Sequence, residues 1–308
     1  MGRWSSPRPR GLSTEFTTQP RGIYDLATQN RYFGDWAALA DEGGTIVMAF
    51  PVEGGRNSAA VAIRQEEDGR IRGQVHGDAE PERAWPQALA VLSLDIDGSG
   101  YAAVGERDPV IGALQREHGW LRPLLFHSPY EAACSFIIGH RISIAQGRVI
   151  RGRLAETHGT AIEVGDQTVH AFPTPERLLK VSDVSSLNAE KVARLHGVAR
   201  AALEGWLDRA ALRGRPVPEA VARVRELRGV GDFFAQGIVL RGAGVVDELP
   251  TDTYTLAGVR RFYGLSATPG VDQLREITES WKPYRMWCAV LVHASERRAQ
   301  GQGSGGSS

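Results

Sequence analysis

Leu227-Arg228-Gly229-Val230-Gly231, then Leu249-Pro250-Thr251-Asp252-Thr253, then Trp281-Lys282-Pro283-Tyr284-Arg285: these three stretches, in this order, decide how the chain is read. In the first, two glycines flank one apolar residue between helix-like segments. Glycine tolerates positive φ, so the chain can reverse sharply there. The reversal leaves the first N–H groups of the next helix uncovered, and such amides bind a phosphate oxygen without a side-chain charge. Taken alone, a structural turn between helices explains the motif. In the second stretch Asp252 opens a further helix. A plain N-cap accounts for it locally; the functional alternative is a carboxylate aimed at a substrate beside the glycine turn. In the third, Pro283 suits a helix start, and the aromatics suit either a packed core or a stacking wall.

Outward from these stretches the texture is helical. Ser128-Pro129-Tyr130-Glu131 places an N-cap, a proline at N1 and an acid at N3. Its apolar run stops at Gly139, and Ser143-Ile144-Ala145-Gln146 reads as a second capping box. Gly139–Ile142 is then a tight turn with His140 and Arg141 at its tip. Further helices are predicted over Pro175–Leu179, Ala189–Leu203, Glu219–Leu227, Asp232–Arg241, Tyr254–Phe262, Val271–Ser280 and Pro283–Arg297. Before residue 95 the reading differs. Thr45–Val52 is an apolar run of β-formers, and Ala59–Gln65 and Arg70–His76 flank an Asp68-Gly69 turn, a hairpin signal. Pro81–Leu94 reads as a helix.

The 308 residues suggest about two domains. Their 42% hydrophobic and 23% charged content is that of a globular chain. No apolar run is long enough for a spanning helix, and the N-terminus has no secretory h-region. Two cysteines, Cys134 and Cys288, exclude a four-cysteine iron–sulfur cluster and a Cys-rich zinc site, and fit a reducing compartment. The 36 basic and 36 acidic residues cancel, so any nucleic-acid contact must use a local arginine face. Residues 1–12 are expected to be disordered and residues 298–308 to form a flexible tail.

Together the three stretches resemble the helix–hairpin–helix (HhH-GPD) superfamily of DNA glycosylases, and within it the AlkA-type DNA-3-methyladenine glycosylases. Tyr130–Ser143 resembles the family's wedge-bearing helix and turn. Ala171–Glu176 resembles its Phe-Pro-Thr-Pro segment, and Lys191–Leu195 its Lys-x-x-x-Leu helix. The resemblance covers residues 85–295 well and residues 15–84 more weakly. It implies an α+β fold: a small β-sheet-containing, TATA-binding-protein-like domain over residues 13–95, then a two-lobed all-α glycosylase domain over residues 96–297.

The implied activity is excision of alkylated purines from double-stranded DNA by base flipping, with Asp252 as the catalytic carboxylate. Leu227, Gly229, Val230, Gly231 and Thr251 would meet the DNA backbone, and His140 and Arg141 would wedge into the strand. Phe233, Gly237, Trp281 and Tyr284 would line the base pocket. The backbone carbonyls of Arg225, Leu227 and Val230 would hold a monovalent cation, with no other cofactor. The partner is damaged DNA, not a membrane, and the expected state is a monomer in a bacterial cytoplasm, at the nucleoid. Bifunctional members carry a lysine where this chain has Phe233, so no lyase step is expected.

Five residues depart from the family pattern. His140-Arg141 replaces Gln and an apolar residue in the wedge turn. Gly237 replaces a pocket tyrosine and predicts a wider or wetter pocket. Phe233 and Tyr284 stand for tryptophans. His293 is read as structural. The competing reading is a helix–hairpin–helix protein that binds DNA damage without catalysis. An iron–sulfur glycosylase of the usual form fails the cysteine count.

Overall fold

The computed structural model describes residues 13–33, 38–41, 43–119, 121–184 and 186–303. The expected disordered segment 1–12 and residues 304–308 of the expected tail lie outside the described residues. A five-stranded antiparallel sheet comes first. Its strands are β1 (Thr14–Thr18), β2 (Leu39–Ala40), β3 (Ile46–Pro51), β4 (Ser58–Gln65) and β5 (Ile71–Gly77), in the spatial order β1-β5-β4-β3-β2. Helix α1 (Leu26–Phe33) lies between β1 and β2 in sequence, and α2 (Pro81–Val91) follows β5. β4 and β5 form the predicted hairpin, with Gly69 at φ +82° in its turn.

Helix α2 covers one face of this sheet. Trp85 packs where Gly73 leaves room: a Cβ at Gly73 would fall 2.1 Å from the indole ring. Phe16 of β1 stacks on the same ring at 5.7 Å.

Four helices follow: α3 (Ala102–Arg107), α4 (Pro109–His118), α5 (Pro129–Gly139) and α6 (Ile144–His158). Both predicted caps are present. Ser128 accepts from the Glu131 N–H, and Ser143 and Gln146 form the reciprocal capping box. The chain then departs from the all-α expectation. Strands β6 (Thr160–Val164) and β7 (Gln167–Ala171) form an antiparallel hairpin around Gly165 at φ +60°. Ile162, Val169 and Ala171 close over Val47, Ala49 and Ala60 on the second face of the sheet. With both faces covered, β3 is buried along its whole length, which is why it reads as an unbroken apolar run.

The remaining helices are α7 (Pro175–Leu178), α8 (Ala189–Leu203), α9 (Arg209–Arg213), α10 (Val217–Arg225), α11 (Asp232–Gly237), α12 (Thr253–Phe262), α13 (Val271–Glu279) and α14 (Arg285–Gly303). The helix predicted over residues 232–241 is divided: α11 passes into a wide π-helical turn, Ile238–Ala243. Helix α14 begins at Arg285 rather than Pro283, and its backbone runs to Gly303, past the predicted end at Arg297. Among the described residues, no helix is long and apolar enough to cross a membrane.

One apolar cluster gathers α5, α6, α8, α10 and α11; a second gathers α4, α12 and α14 around Trp281 and Trp287. A buried carboxylate joins the parts of the second. Asp108 caps α4, its Oδ1 accepting from the Val110 and Ile111 N–H groups at 3.0 and 3.2 Å. Its Oδ2 accepts from Tyr263 Oη at 2.6 Å, Ser280 Oγ at 2.9 Å and Trp281 Nε1 at 3.1 Å. Removing the carboxylate strips these buried donors of their shared acceptor at once. Asp108→Ala should therefore lower unfolding stability by about 3 kcal/mol or more, read by urea denaturation. A loss below about 1 kcal/mol would show that the hub contributes little.

Candidate active site

The glycine turn joins α10 to α11. Val230 N–H donates to the Leu227 carbonyl at 3.0 Å, and both side chains are buried. Gly229 takes φ +87°, and a Cβ there would meet the Arg194 side chain at 2.6 Å. Glu190 of α8 holds Arg194 at 2.9 Å and Arg228 at 3.1 Å, so the turn is tied to α8 by charge as well as packing. Gly231 is the extended N-cap of α11, with open space where a Cβ would stand. Asp232 pairs with Arg225 at 2.8 Å.

The turn between α5 and α6 projects Arg141, exposed and at φ +59°. Lys191 of α8 supports it from below, its ammonium donating to the carbonyls of Ile138 and His140 at 2.8 and 2.9 Å. Burial pushes the Lys191 pKa down, with Arg194 adding to the effect. The His140 ring sits edge-on to Phe234, centroids 5.6 Å apart.

Asp252 caps α12. Its Oδ1 accepts from the Tyr254 and Thr255 N–H groups at 3.0 and 3.1 Å, and its Oδ2 from Thr255 Oγ1 at 2.7 Å. It also lines a cleft of about 1090 Å³. Into the same cleft come Phe136 of α5, Phe233 and Gly237 of α11, Arg241 of the π-helical turn, Thr251, Tyr254 and His293. Arg241 is crowded by protein yet keeps its side chain open to the cleft. Burial lowers its pKa and the Asp252 carboxylate raises it. Residues of α1 and α4 form part of the wall as well.

No family model matches the chain. A DNA-3-methyladenine glycosylase of Bacillus subtilis is 22% identical over 71% of this chain and 76% of its own length. Among solved structures, the 3-methyladenine DNA glycosylase from Archaeoglobus fulgidus superposes with a TM-score of 0.72 at 19% identity, covering 92% of this chain and 98% of that one. MBOgg1, solved in complex with a low affinity DNA ligand, gives a TM-score of 0.71 at 18% identity, with 95% and 98% covered. The chain is thus similar in sequence to that glycosylase and shares the fold of these two solved structures.

Within this fold, the predicted site residues separate into two groups. Asp252, Thr251, Phe233 and Gly237 meet at the cleft; Phe233 is 63% exposed there. Trp281 and Tyr284 do not. Trp281 is fully buried on Asp108 and Tyr263, and Tyr284 donates to the Asp97 carbonyl at 2.7 Å. Both are core residues, the other reading their sequence context allowed. The wider pocket expected at Gly237 is filled: a Cβ there would lie 2.4 Å from the Phe136 ring, so Phe136 occupies the space. His293 lines the cleft rather than serving only as structure, its ring parallel to Tyr254 at 5.0 Å. The signal for it was its place on the last helix, nine residues beyond Tyr284, but one histidine without a paired ligand gives no direction by itself. Among the described residues, no group of three His, Cys, Asp or Glu side chains could hold a metal ion.

The two glycines of the turn make different demands. Gly229→Ala places a Cβ at positive φ against Arg194 and should cost about 1–2 kcal/mol in chemical denaturation. Gly231→Ala, at negative φ beside open space, should cost less. Equal losses would mean that the strain at Gly229 is not what fixes the turn.

Proposed function

We propose that the chain is a monofunctional, AlkA-type DNA glycosylase that hydrolyses the N-glycosidic bond of alkylated purines, 3-methyladenine among them, in double-stranded DNA. The observation that carries this reading is Asp252: its carboxylate stands in a large cleft, held by α12, after the glycine turn in the chain. The sheet of residues 13–95 is the TATA-binding-protein-like part, and residues 96–297 are the glycosylase domain, two lobes with the cleft between them. The enzyme acts as a monomer on the nucleoid, in the cytoplasm.

A base inside a duplex is out of reach, so the nucleotide flips into the cleft at a cost of a few kcal/mol. Arg141, with His140, fills the gap; a planar guanidinium stacks and donates at the same time. The amides around Gly229 and Gly231 hold the backbone, with Thr251 beside them. The carbonyls of Arg225, Leu227 and Val230 are the proposed seat of a monovalent cation. Such an ion would neutralise phosphate charge at the turn; no step of the chemistry passes through it.

An N3- or N7-alkylated purine is already cationic and leaves without a general acid. The electron pair of the C1′–N bond departs with the base, and the sugar becomes oxocarbenium-like. One ionised carboxylate, Asp252, stabilises that charge and orients the water that adds to C1′. Phe233 stands where a lyase would carry its lysine, and no lysine is among the cleft-lining residues. Lys191 is engaged by two backbone carbonyls, and Lys282 pairs with Glu279 at 2.7 Å.

Asparagine also caps helices well. Asp252→Asn should therefore keep the fold and DNA binding while lowering single-turnover release of 3-methyladenine by roughly 100-fold or more. Full activity in this variant would refute the role, and wild-type binding without release of any damaged base would favour the non-catalytic DNA-binding reading. Borohydride added during turnover should trap no covalent protein–DNA complex; a trapped species would show a lysine nucleophile and a lyase step.

A further inference from the structure

His293 is a titratable side chain of the cleft to which the chemistry above gives no task. It sits midway along α14, and its imidazole stacks parallel on Tyr254, centroids 5.0 Å apart and planes 9° from coincidence. The Tyr254 N–H donates to Asp252 Oδ1 at 3.0 Å. The ring is thus locked to the same helix start that carries the carboxylate. One face of the imidazole is taken by the phenol, and the side chain remains half-buried in the cleft wall.

We propose that His293 is a specificity-determining residue of the base pocket: as neutral imidazole it accepts a hydrogen bond from the exocyclic amino group of a cationic alkylated purine, and on protonation it rejects that cation. The proposal rests on the glycosylase reading and names the substrate class of the same cleft. Neutral imidazole offers one N–H and one lone pair. The amino group of an alkylated adenine or guanine needs an acceptor, which the lone pair supplies. Protonation removes that acceptor and sets like charge against the bound base. A neutral lesion such as ethenoadenine carries no charge to be repelled.

The surroundings favour the neutral form. Burial lowers the His293 pKa; Asp252 acts in the opposite direction, and Arg297 and Arg241 add to the lowering. Tyr254 packs on the ring. The α1 part of the cleft wall carries Arg31 and Tyr32, and the α4 part carries Glu117 and His118. Tyr32 Oη and His118 Nδ1 lie 2.7 Å apart, so the second imidazole has a hydrogen-bond partner of its own. Comparing wild type with a His293 variant separates the two imidazoles.

The test uses His293→Phe, which keeps a ring against Tyr254 and removes the titrating group. Excision of 3-methyladenine, cationic while glycosidically bound, and ethenoadenine, a neutral base, is measured as kcat/KM from duplexes at about pH 7.5 and about pH 5.5. In the wild type the cation-to-neutral ratio should fall about tenfold on acidification. In His293→Phe it should move less than about twofold. The same fall in both proteins, or none in the wild type, overturns the proposal. Should the wild type excise neither lesion, the glycosylase reading fails, and calorimetric binding of 3,9-dimethyladeninium and 9-methyladenine decides on His293 separately. Weaker binding of the cation alone at the lower pH, abolished by His293→Phe, supports the assignment; binding of neither, or unchanged binding, overturns it.

Discussion

The Asp108 carboxylate is the constraint on which the cleft depends. It is buried and accepts from α4, from Tyr263 at the end of α12, from Ser280 after α13 and from Trp281. A buried acid with so many donors is tolerable only when all are aligned, because each misplaced donor leaves a polar group without water or partner. The arrangement therefore fixes the far end of α12 relative to the segment that leads into α14. Asp252 lies at the start of α12 and His293 lies along α14. Their relative position is set by a hydrogen-bonded centre that contributes nothing to the cleft itself. Arg122 adds a second tie: fully buried, it donates to the carbonyls of Arg21, Ile23 and Ser93 while its guanidinium lies over the Trp287 ring at 4.8 Å. The sheet side of the molecule and α14 are thereby held in one register.

Asp252 performs two tasks that support each other. As N-cap, it satisfies two amides of α12. As a cleft residue, it presents that fixed charge to whatever enters. Capping binds the carboxylate in one orientation without burying it, so the charge needs no counter-ion from the core. Capping the helix and standing in the cleft are therefore compatible for Asp252.

Local signals were the legible part of the fold. Ser128 and Ser143 cap where the spacing places them, α8 has the predicted bounds, and Asp68-Gly69 turns a hairpin, because each depends on a few adjacent residues. The β6–β7 hairpin was less legible. Its alternation is short, helical segments flank it, and what stabilises it is a distant surface, the second face of the sheet. The π-helical turn was not legible either, since residues 232–241 carry an ordinary helical pattern. Phe233 and Gly237 lie on the helix that follows the glycine turn, whereas Asp252 reaches the same cleft from about twenty residues further along the chain. Trp281 and Tyr284 form a conspicuous aromatic motif, but conspicuous aromatics are core residues more often than pocket residues, and here the donors of both are spent inside the protein.

Gly237 and Phe136 show why a pocket is poorly read from one segment. A glycine where a motif has an aromatic suggests a hole, yet the volume belongs to the space between helices and not to a position. Phe136 comes from α5, remote in sequence, and its ring reaches the backbone of α11 only because Gly237 has no side chain. Phe136 also sits edge-on to Phe233 at 6.5 Å, so the aromatic wall is rebuilt from two helices. Tight packing makes such exchanges pairwise: the glycine permits the phenylalanine, and the phenylalanine makes the glycine obligatory. The cleft thus keeps an aromatic side at Phe136 and Phe233, while Asp252, Arg241 and His293 give it charged and titratable groups.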